Sequence, residues 1–234
     1  MPATAVERIS IEVSGSVRVS GLRQKSLQPR ACYVLAHGAG AGMDHPFMVA
    51  VARQLASRGI ATLRYQFPYM ERGAKRPDPP QLAHATVRAA AANALTLEPK
   101  LPLIAGGKSF GGRMTSQAQA IYPLEGVRGL AFLGFPLHPA GRPSHKRADH
   151  LFDVQIPMLF VQGTRDPLAS VGELQTLCKK LGRRATLKLF TDADHSFHVP
   201  ARTGRDDAQV FEDVLDVLTA WVEGLIARRD NKLR

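Results

Sequence analysis

Ser109 stands between two glycines in Gly107-Lys108-Ser109-Phe110-Gly111, directly after the apolar run 101–105 and before Gly112-Arg113-Met114-Thr115-Ser116-Gln117, which reads as a helix. A serine at so sharp a strand-to-helix turn has a strained backbone, and small residues two positions to either side let strand and helix come close. Its side chain then projects at the carboxyl edge of a sheet. This pattern predicts a nucleophile elbow with Ser109 as the attacking group. Serine attacks poorly until a base takes its proton. Histidine can do so near neutral pH and later protonate the leaving group, and an acid must fix its tautomer and stabilise its cation.

Both partners occur downstream, each after an apolar strand-like run. Gly163-Thr164-Arg165-Asp166-Pro167 supplies a carboxylate, and Asp166 is preferred as the triad acid over Asp192 and Asp194. An Asp-Pro pair also reads as an ordinary turn or helix cap. Thr191-Asp192-Ala193-Asp194-His195-Ser196-Phe197-His198 supplies two histidines, of which His195 lies nearer the strand end and is preferred to His198. The chain order Ser109, Asp166, His195 is the order used when the nucleophile sits on such an elbow.

Upstream, the glycine loop His37-Gly38-Ala39-Gly40-Ala41-Gly42 suggests an oxyanion hole, with the N–H of Ala39 or Gly40 joining that of Phe110. Losing one such donor typically costs about 10² to 10³ in rate. Substrate contacts are expected from Gly40, Tyr69, Met114 and His138. The remaining histidines read as structural or exposed. Lys108, Arg113 and Arg165 lie near the elbow or the acid in sequence and raise the idea of an anionic substrate, against the plainer reading of solvated charge.

Rival chemistries fit less well. A dinucleotide fingerprint fails because its third glycine position would hold Met43 or His45, and Arg64-Tyr65-Gln66 offers no acid for a ribose. A phosphate loop needs glycine where Pro102 stands. The Asp/His density at 192–198 has no second ligand cluster beside it, so no metal and no other cofactor is expected. A net charge of +11 could attract nucleic acid. Yet the basic residues are scattered, apart from modest clusters at Arg142, His145, Lys146 and Arg147 and at Arg228, Arg229, Lys232 and Arg234, without interleaved aromatics. That argues against a nucleic-acid partner.

The elements that must position these groups can be read from periodicity and punctuation. Alternating runs at 9–13 and 16–20 around Ser14-Gly15 predict a hairpin. Further strands are predicted at 31–36, 60–65, 101–105, 128–133, 158–162 and 185–190. Helices are predicted at 46–58, capped by Asp44 and stopped by Gly59, then at 81–97, after the elbow, at 168–181 and at 207–228. A proline-rich loop is expected over 67–80. Val210, Phe211, Val214, Val217, Leu218, Trp221 and Leu225 recur at helical spacing and read as a packing face. Strand–helix alternation after a hairpin gives an α/β fold, a mostly parallel eight-stranded sheet with helices on both faces. The segment 135–156 is too short for a separate lid domain, so an open site is expected.

At 234 residues, 44% hydrophobic and 22% charged, the chain is expected to form one domain over 1–234. No run is long and apolar enough to span a bilayer, and the start of the chain lacks the form of a secretory signal. The expected compartment is therefore the cytoplasm, with Cys32 and Cys178 as reduced thiols.

With these residues in place, the chain resembles the α/β-hydrolase superfamily, within it the dienelactone-hydrolase-like branch, and more narrowly the group shared with testis-expressed protein 30 and a scaffold subunit of the nonspecific-lethal acetyltransferase complex. The resemblance rests on the stretch from His37 to Pro46, on Phe67-Pro68-Tyr69-Met70 with Pro77-Asp78-Pro79, and on Gly107 to Arg113. Gly134-Phe135-Pro136-Leu137-His138-Pro139-Ala140-Gly141 and Asp194-His195-Ser196-Phe197 complete it. It implies a cofactor-independent Ser-Asp-His hydrolase acting on a small-molecule carboxylic ester or thioester, with homodimerisation left open. Dienelactone hydrolases proper carry cysteine at the elbow, whereas this chain has Ser109, so lactone opening is not favoured. Two alternatives stand beside hydrolysis: a non-catalytic binding or scaffold protein of the same fold, and an acyltransferase working through the same acyl-enzyme.

Overall fold

The computed structural model describes residues 5–142, 144 and 146–230, so His145, Lys232 and Arg234 of the basic clusters lie outside the described residues. The chain runs β1 (Val6–Ser14), β2 (Val17–Gln24), β3 (Ala31–Ala36), α1 (Pro46–Ser57), β4 (Ile60–Tyr65), α2 (Pro68–Glu71) and α3 (Pro80–Leu97). It continues through β5 (Leu103–Lys108), α4 (Phe110–Ile121), β6 (Val127–Leu133), β7 (Met158–Gly163), α5 (Val171–Leu181), β8 (Ala185–Phe190) and α6 (Asp207–Asp230).

The strands form one eight-stranded sheet in the order β1-β2-β4-β3-β5-β6-β7-β8. β1 and β2 are an antiparallel hairpin, β2 runs antiparallel to β4, and β3 through β8 are parallel. β3 and β4 are buried along their whole length, which is why they read as unbroken apolar runs rather than alternating ones. One face packs Ala83, Val87 and Ala90 of α3, Met114 and Ala118 of α4, and Leu174 and Leu177 of α5. The other packs Met48, Val51 and Leu55 of α1 against Val210, Val214 and Leu218 of α6. Each buried Val, Leu or Met side chain among these contributes roughly 1.5–3 kcal/mol by leaving water.

Because β3 lies between β4 and β5, the chain leaves β3 for one side of the sheet and returns on the other. That reversal opens a crevice at the carboxyl ends of β3 and β5, the place where open α/β sheets bind ligands. The last residue of β3, Ala36, is in register with Gly107, so the glycine loop after β3 and the elbow after β5 emerge side by side.

Several local expectations are corrected. The N-cap of α1 is His45, not Asp44: Pro46 occupies the first helical turn, and His45 Nδ1 accepts from the Phe47 N–H at 3.3 Å. Residues 67–80 are not loop throughout, since Pro68 starts the single-turn α2 and Pro80 starts α3. β5 begins at Leu103 and carries on through Lys108, up to the elbow itself. The helix expected from Leu168 starts at Val171, after the N-cap Ser170, whose hydroxyl accepts from the Glu173 N–H and donates to the Glu173 carboxylate. The segment between β6 and β7 holds a 3-10 turn at Asp149–Asp153. Cys32 is buried and Cys178 partly so, and both are free thiols.

Candidate active site

Ser109 has φ 49° and ψ −113°, a left-handed conformation that is costly for a residue with a side chain. It persists because its surroundings over-determine it. A side chain at Gly107 would lie 2.1 Å from the Ala36 carbonyl oxygen, and one at Gly111 would lie 2.5 Å from that of His37. Only glycine on both sides lets the turn pack this closely against β3. Phe110 is the first residue of α4, so its N–H has no partner within the helix and is available at the mouth of the turn.

The glycine loop is fixed from beneath by a histidine. His37 is fully buried; its Nδ1 lies 2.8 Å from the Gly38 carbonyl, and its Nε2 lies 3.1 Å from the Phe67 N–H. An amide N–H can only donate, so Nε2 is the unprotonated nitrogen and Nδ1 carries the proton. Burial pushes this imidazole down to about 4. Further along, the Tyr69 hydroxyl accepts from the Gly40 N–H at 3.3 Å, and Tyr69 N–H donates to Asp78 at 2.6 Å. Gln66 Oε1 and Arg64 hold the two sides of the Met43 peptide at 2.8 and 2.9 Å. With the Gly40 N–H engaged by Tyr69, Ala39 is the loop residue left at the cavity wall.

Asp166 and His195 are brought together across the ends of β7 and β8. Asp166 Oδ2 lies 2.6 Å from His195 Nδ1, and the carboxylate side chain is wholly buried. The same oxygen accepts from Gln162 Nε2 at 2.5 Å, while Oδ1 accepts from the Leu168 N–H at 2.8 Å. Asp166 is thus also the cap of its own Asp-Pro turn. Gln162 in turn accepts from the Phe135 N–H at 2.8 Å. Sequence reasoning missed Gln162, although a polar residue at the end of the apolar strand β7 was a visible signal.

His198 goes elsewhere. It is exposed, and its Nδ1 lies 2.8 Å from Asp207 at the start of α6, which raises its pKa above the ordinary histidine value. Asp194 accepts from the N–H groups of Ser196 and His198 at 2.7 and 3.0 Å, the work of a turn residue. Asp192 sits in the turn with φ 60°, its N–H bonded to Thr164.

Ser109 and His195 flank the same turn at the end of β6. The Ser109 N–H donates to the Leu133 carbonyl at 3.2 Å, and a side chain on Gly134 would lie 3.2 Å from the His195 ring. Ser109 makes no hydrogen bond to the imidazole in this structure. Such contacts are often long before substrate arrives and tighten in the complex.

A cavity of about 400 Å³ opens over the elbow, with Ala39, Ser109, Phe110, Arg113, Met114 and Arg147 in its wall. Of the expected substrate contacts, Met114 lies in that wall. Gly40, Tyr69 and His138 do not: Tyr69 is buried behind the loop, and buried His138 has Nε2 3.3 Å from Glu173. Lys108 is turned to the His195 carbonyl and Arg165 is exposed on its own loop, so of the three basic residues near the elbow or the acid in sequence Arg113 alone lies in the wall. Among the described residues no group of three or more metal-ligating side chains occurs, and no helix is long and apolar enough to cross a membrane.

This geometry can be set beside known proteins. The structure is similar to a dienelactone hydrolase from Anabaena variabilis, with a TM-score of 0.76 and 20% identity, covering 95% of this chain and 98% of that one. It is also similar to a serine hydrolase without lid from Xanthomonas campestris, with a TM-score of 0.71 and 20% identity over 94% and 96% of the two chains. A third is the esterase domain of a Rhodothermus marinus protein, with a TM-score of 0.70 and 18% identity over 93% and 97%. At such identities these likenesses establish the fold. Residues 29–223 match the family described as alpha/beta hydrolase domain, and the chain belongs to that family.

Proposed function

We propose that this chain, acting as a single hydrolase domain, is a serine hydrolase that cleaves a carboxylic ester or thioester through an acyl-enzyme. Ser109 attacks the carbonyl carbon, His195 takes the hydroxyl proton and returns it to the leaving group, and Asp166 holds the imidazole with its proton on Nδ1. Water then repeats the sequence on the acyl-enzyme, restoring Ser109 and releasing the acid. The Ala39 and Phe110 N–H groups would receive the developing oxyanion.

The observation that carries this reading is the 2.6 Å contact between the buried Asp166 carboxylate and His195 Nδ1. A buried carboxylate bonded to one imidazole nitrogen leaves the other as the acceptor, which is the tautomer a general base requires. The strained backbone of Ser109 and the free N–H at Phe110 add to it. The finer kinship, with the dienelactone-hydrolase-like branch and the group shared with testis-expressed protein 30, rests on the sequence motifs. A cytoplasmic site of action belongs to the same proposal.

The test is turnover of a panel of 4-nitrophenyl esters and acyl thioesters of increasing chain length, with a nucleophilic acceptor added in parallel. The reading expects release of the free acid with burst kinetics. Acyl transfer to the acceptor in preference to water would replace hydrolase by acyltransferase, and an inert folded protein would favour the binding or scaffold alternative.

A further inference from the structure

The cavity above Ser109 carries more positive charge than it neutralises. Arg113 and Arg147 both line it. Neither guanidinium pairs with a carboxylate among the described residues, although Arg23, Arg58 and Arg205 elsewhere in the chain all do. The acid in the wall, Asp78, is already taken: one of its oxygens accepts from the Tyr69 N–H and the other from Arg72 at 2.5 Å. The Arg113 Nε is buried and has no hydrogen-bond partner. Arg113 lies one turn along α4 from the nucleophile, its N–H bonded to the Ser109 carbonyl at 3.1 Å. Residues four apart share a helix face. Its guanidinium is held 6.0 Å from the Phe110 ring centroid, beside the elbow.

Two unpaired like charges at one cavity are unfavourable, and burial together with the Arg147 charge lowers the pKa of Arg113. A chain tolerates such a pair where a third, anionic group completes it. Guanidinium is a planar fork that suits carboxylate or phosphate oxygens, and a buried N–H without an acceptor is costly until one arrives.

Resting on the hydrolase reading above, we propose that the Arg113–Arg147 wall is an anion subsite, and that the substrate is an ester or thioester carrying a carboxylate or phosphate group a few bonds from the scissile carbonyl. Specificity then comes from this subsite, while the neutral reacting end sits at Ser109. The assignment differs from a general electrostatic attraction, because Lys108 and Arg165, as near to the catalytic residues in sequence, take no part in it.

The experiment compares mono-4-nitrophenyl adipate with its methyl-capped counterpart, which has the same scissile bond and no charge. A phosphonate-terminated analogue of the same length tells carboxylate from phosphate recognition. At low salt the charged ester is expected to have a kcat/KM at least about tenfold higher, corresponding to one added charge-assisted hydrogen bond. The ratio should shrink toward one in high salt and in Arg113→Gln and Arg147→Gln, each first checked for a native melting transition. Should Arg113→Gln fail to fold, the salt dependence and Arg147→Gln decide. Calorimetric binding of both compounds to Ser109→Ala gives a second readout free of turnover. Turnover of the capped ester with no preference for the charged one overturns the subsite and leaves the hydrolase reading standing. Preferential binding of the charged compound without turnover of either keeps the subsite and overturns the hydrolase reading.

Discussion

The ammonium of Lys108, the residue immediately before Ser109, donates a hydrogen bond to the main-chain carbonyl of His195. It lies between the rings of Phe47 and Phe197, 5.8 and 5.6 Å from their centroids, and burial lowers it to about 8 against the opposing pull of Asp166 and Asp194. The elbow and the loop carrying His195 are therefore tied together, and under the proposed hydrolase function Lys108 would be a positioning residue.

Replacing Lys108 with Met should lower kcat by about 10- to 100-fold with little change in KM, since a misplaced base slows chemistry without disturbing substrate contacts. The pH profile separates positioning from mere stability. Native kcat should fall as the ammonium loses its proton above about pH 8, and that limb should vanish in Lys108→Met. A variant that loses melting temperature but keeps the native kcat and alkaline limb would contradict the assignment.

The two histidines of the loop after β8 should behave differently. His195→Ala is expected to cost about 10⁴ in kcat, the scale of losing a general base. His198→Ala removes only an exposed pair with Asp207 and should leave kcat within about threefold. Equal losses would remove His195 from its role.

His37 makes stability depend on pH. Its folded value of about 4 lies below the ordinary 6.5, so the unfolded chain binds the proton first. Its contribution is intact above pH 6.5 and is lost progressively as pH falls toward 4. Protonation would set an N–H on Nε2 against the Phe67 N–H, two donors face to face. His150, half-buried beside Ser116 and lowered by its burial to about 4, adds a change of the same sign. Melting temperature should drop between pH 6.5 and 4, and His37→Gln should flatten part of that slope. A native melting temperature constant across that window would refute it.

Much of the fold was legible because the candidate site lies at strand ends, and strand ends are punctuated. Ser109, Asp166 and His195 each follow an apolar run and a glycine or turn residue, so their order along the chain could be read directly. What the chain order does not carry is strand order: nothing local says that β3 lies between β4 and β5, which is what brings the glycine loop beside the elbow. The direction of Lys108 was available and overlooked. Side chains alternate along a strand, so Lys108 shares the face of Ile104, which packs with the α1 and α6 cluster, and not that of Leu103 and Ala105. Arg147 belongs to no motif and reaches the cavity through the irregular segment after β6, where periodicity gives no register.

The central claim is that Ser109 is an activated nucleophile. Fluorophosphonate labelling of the folded native protein, followed by mass spectrometry of the peptide carrying residue 109, tests it most directly. One phosphonylated residue is expected, Ser109, with labelling abolished in Ser109→Ala and strongly slowed in His195→Ala. A folded native protein that takes up no label, or takes it up at another residue, would contradict it.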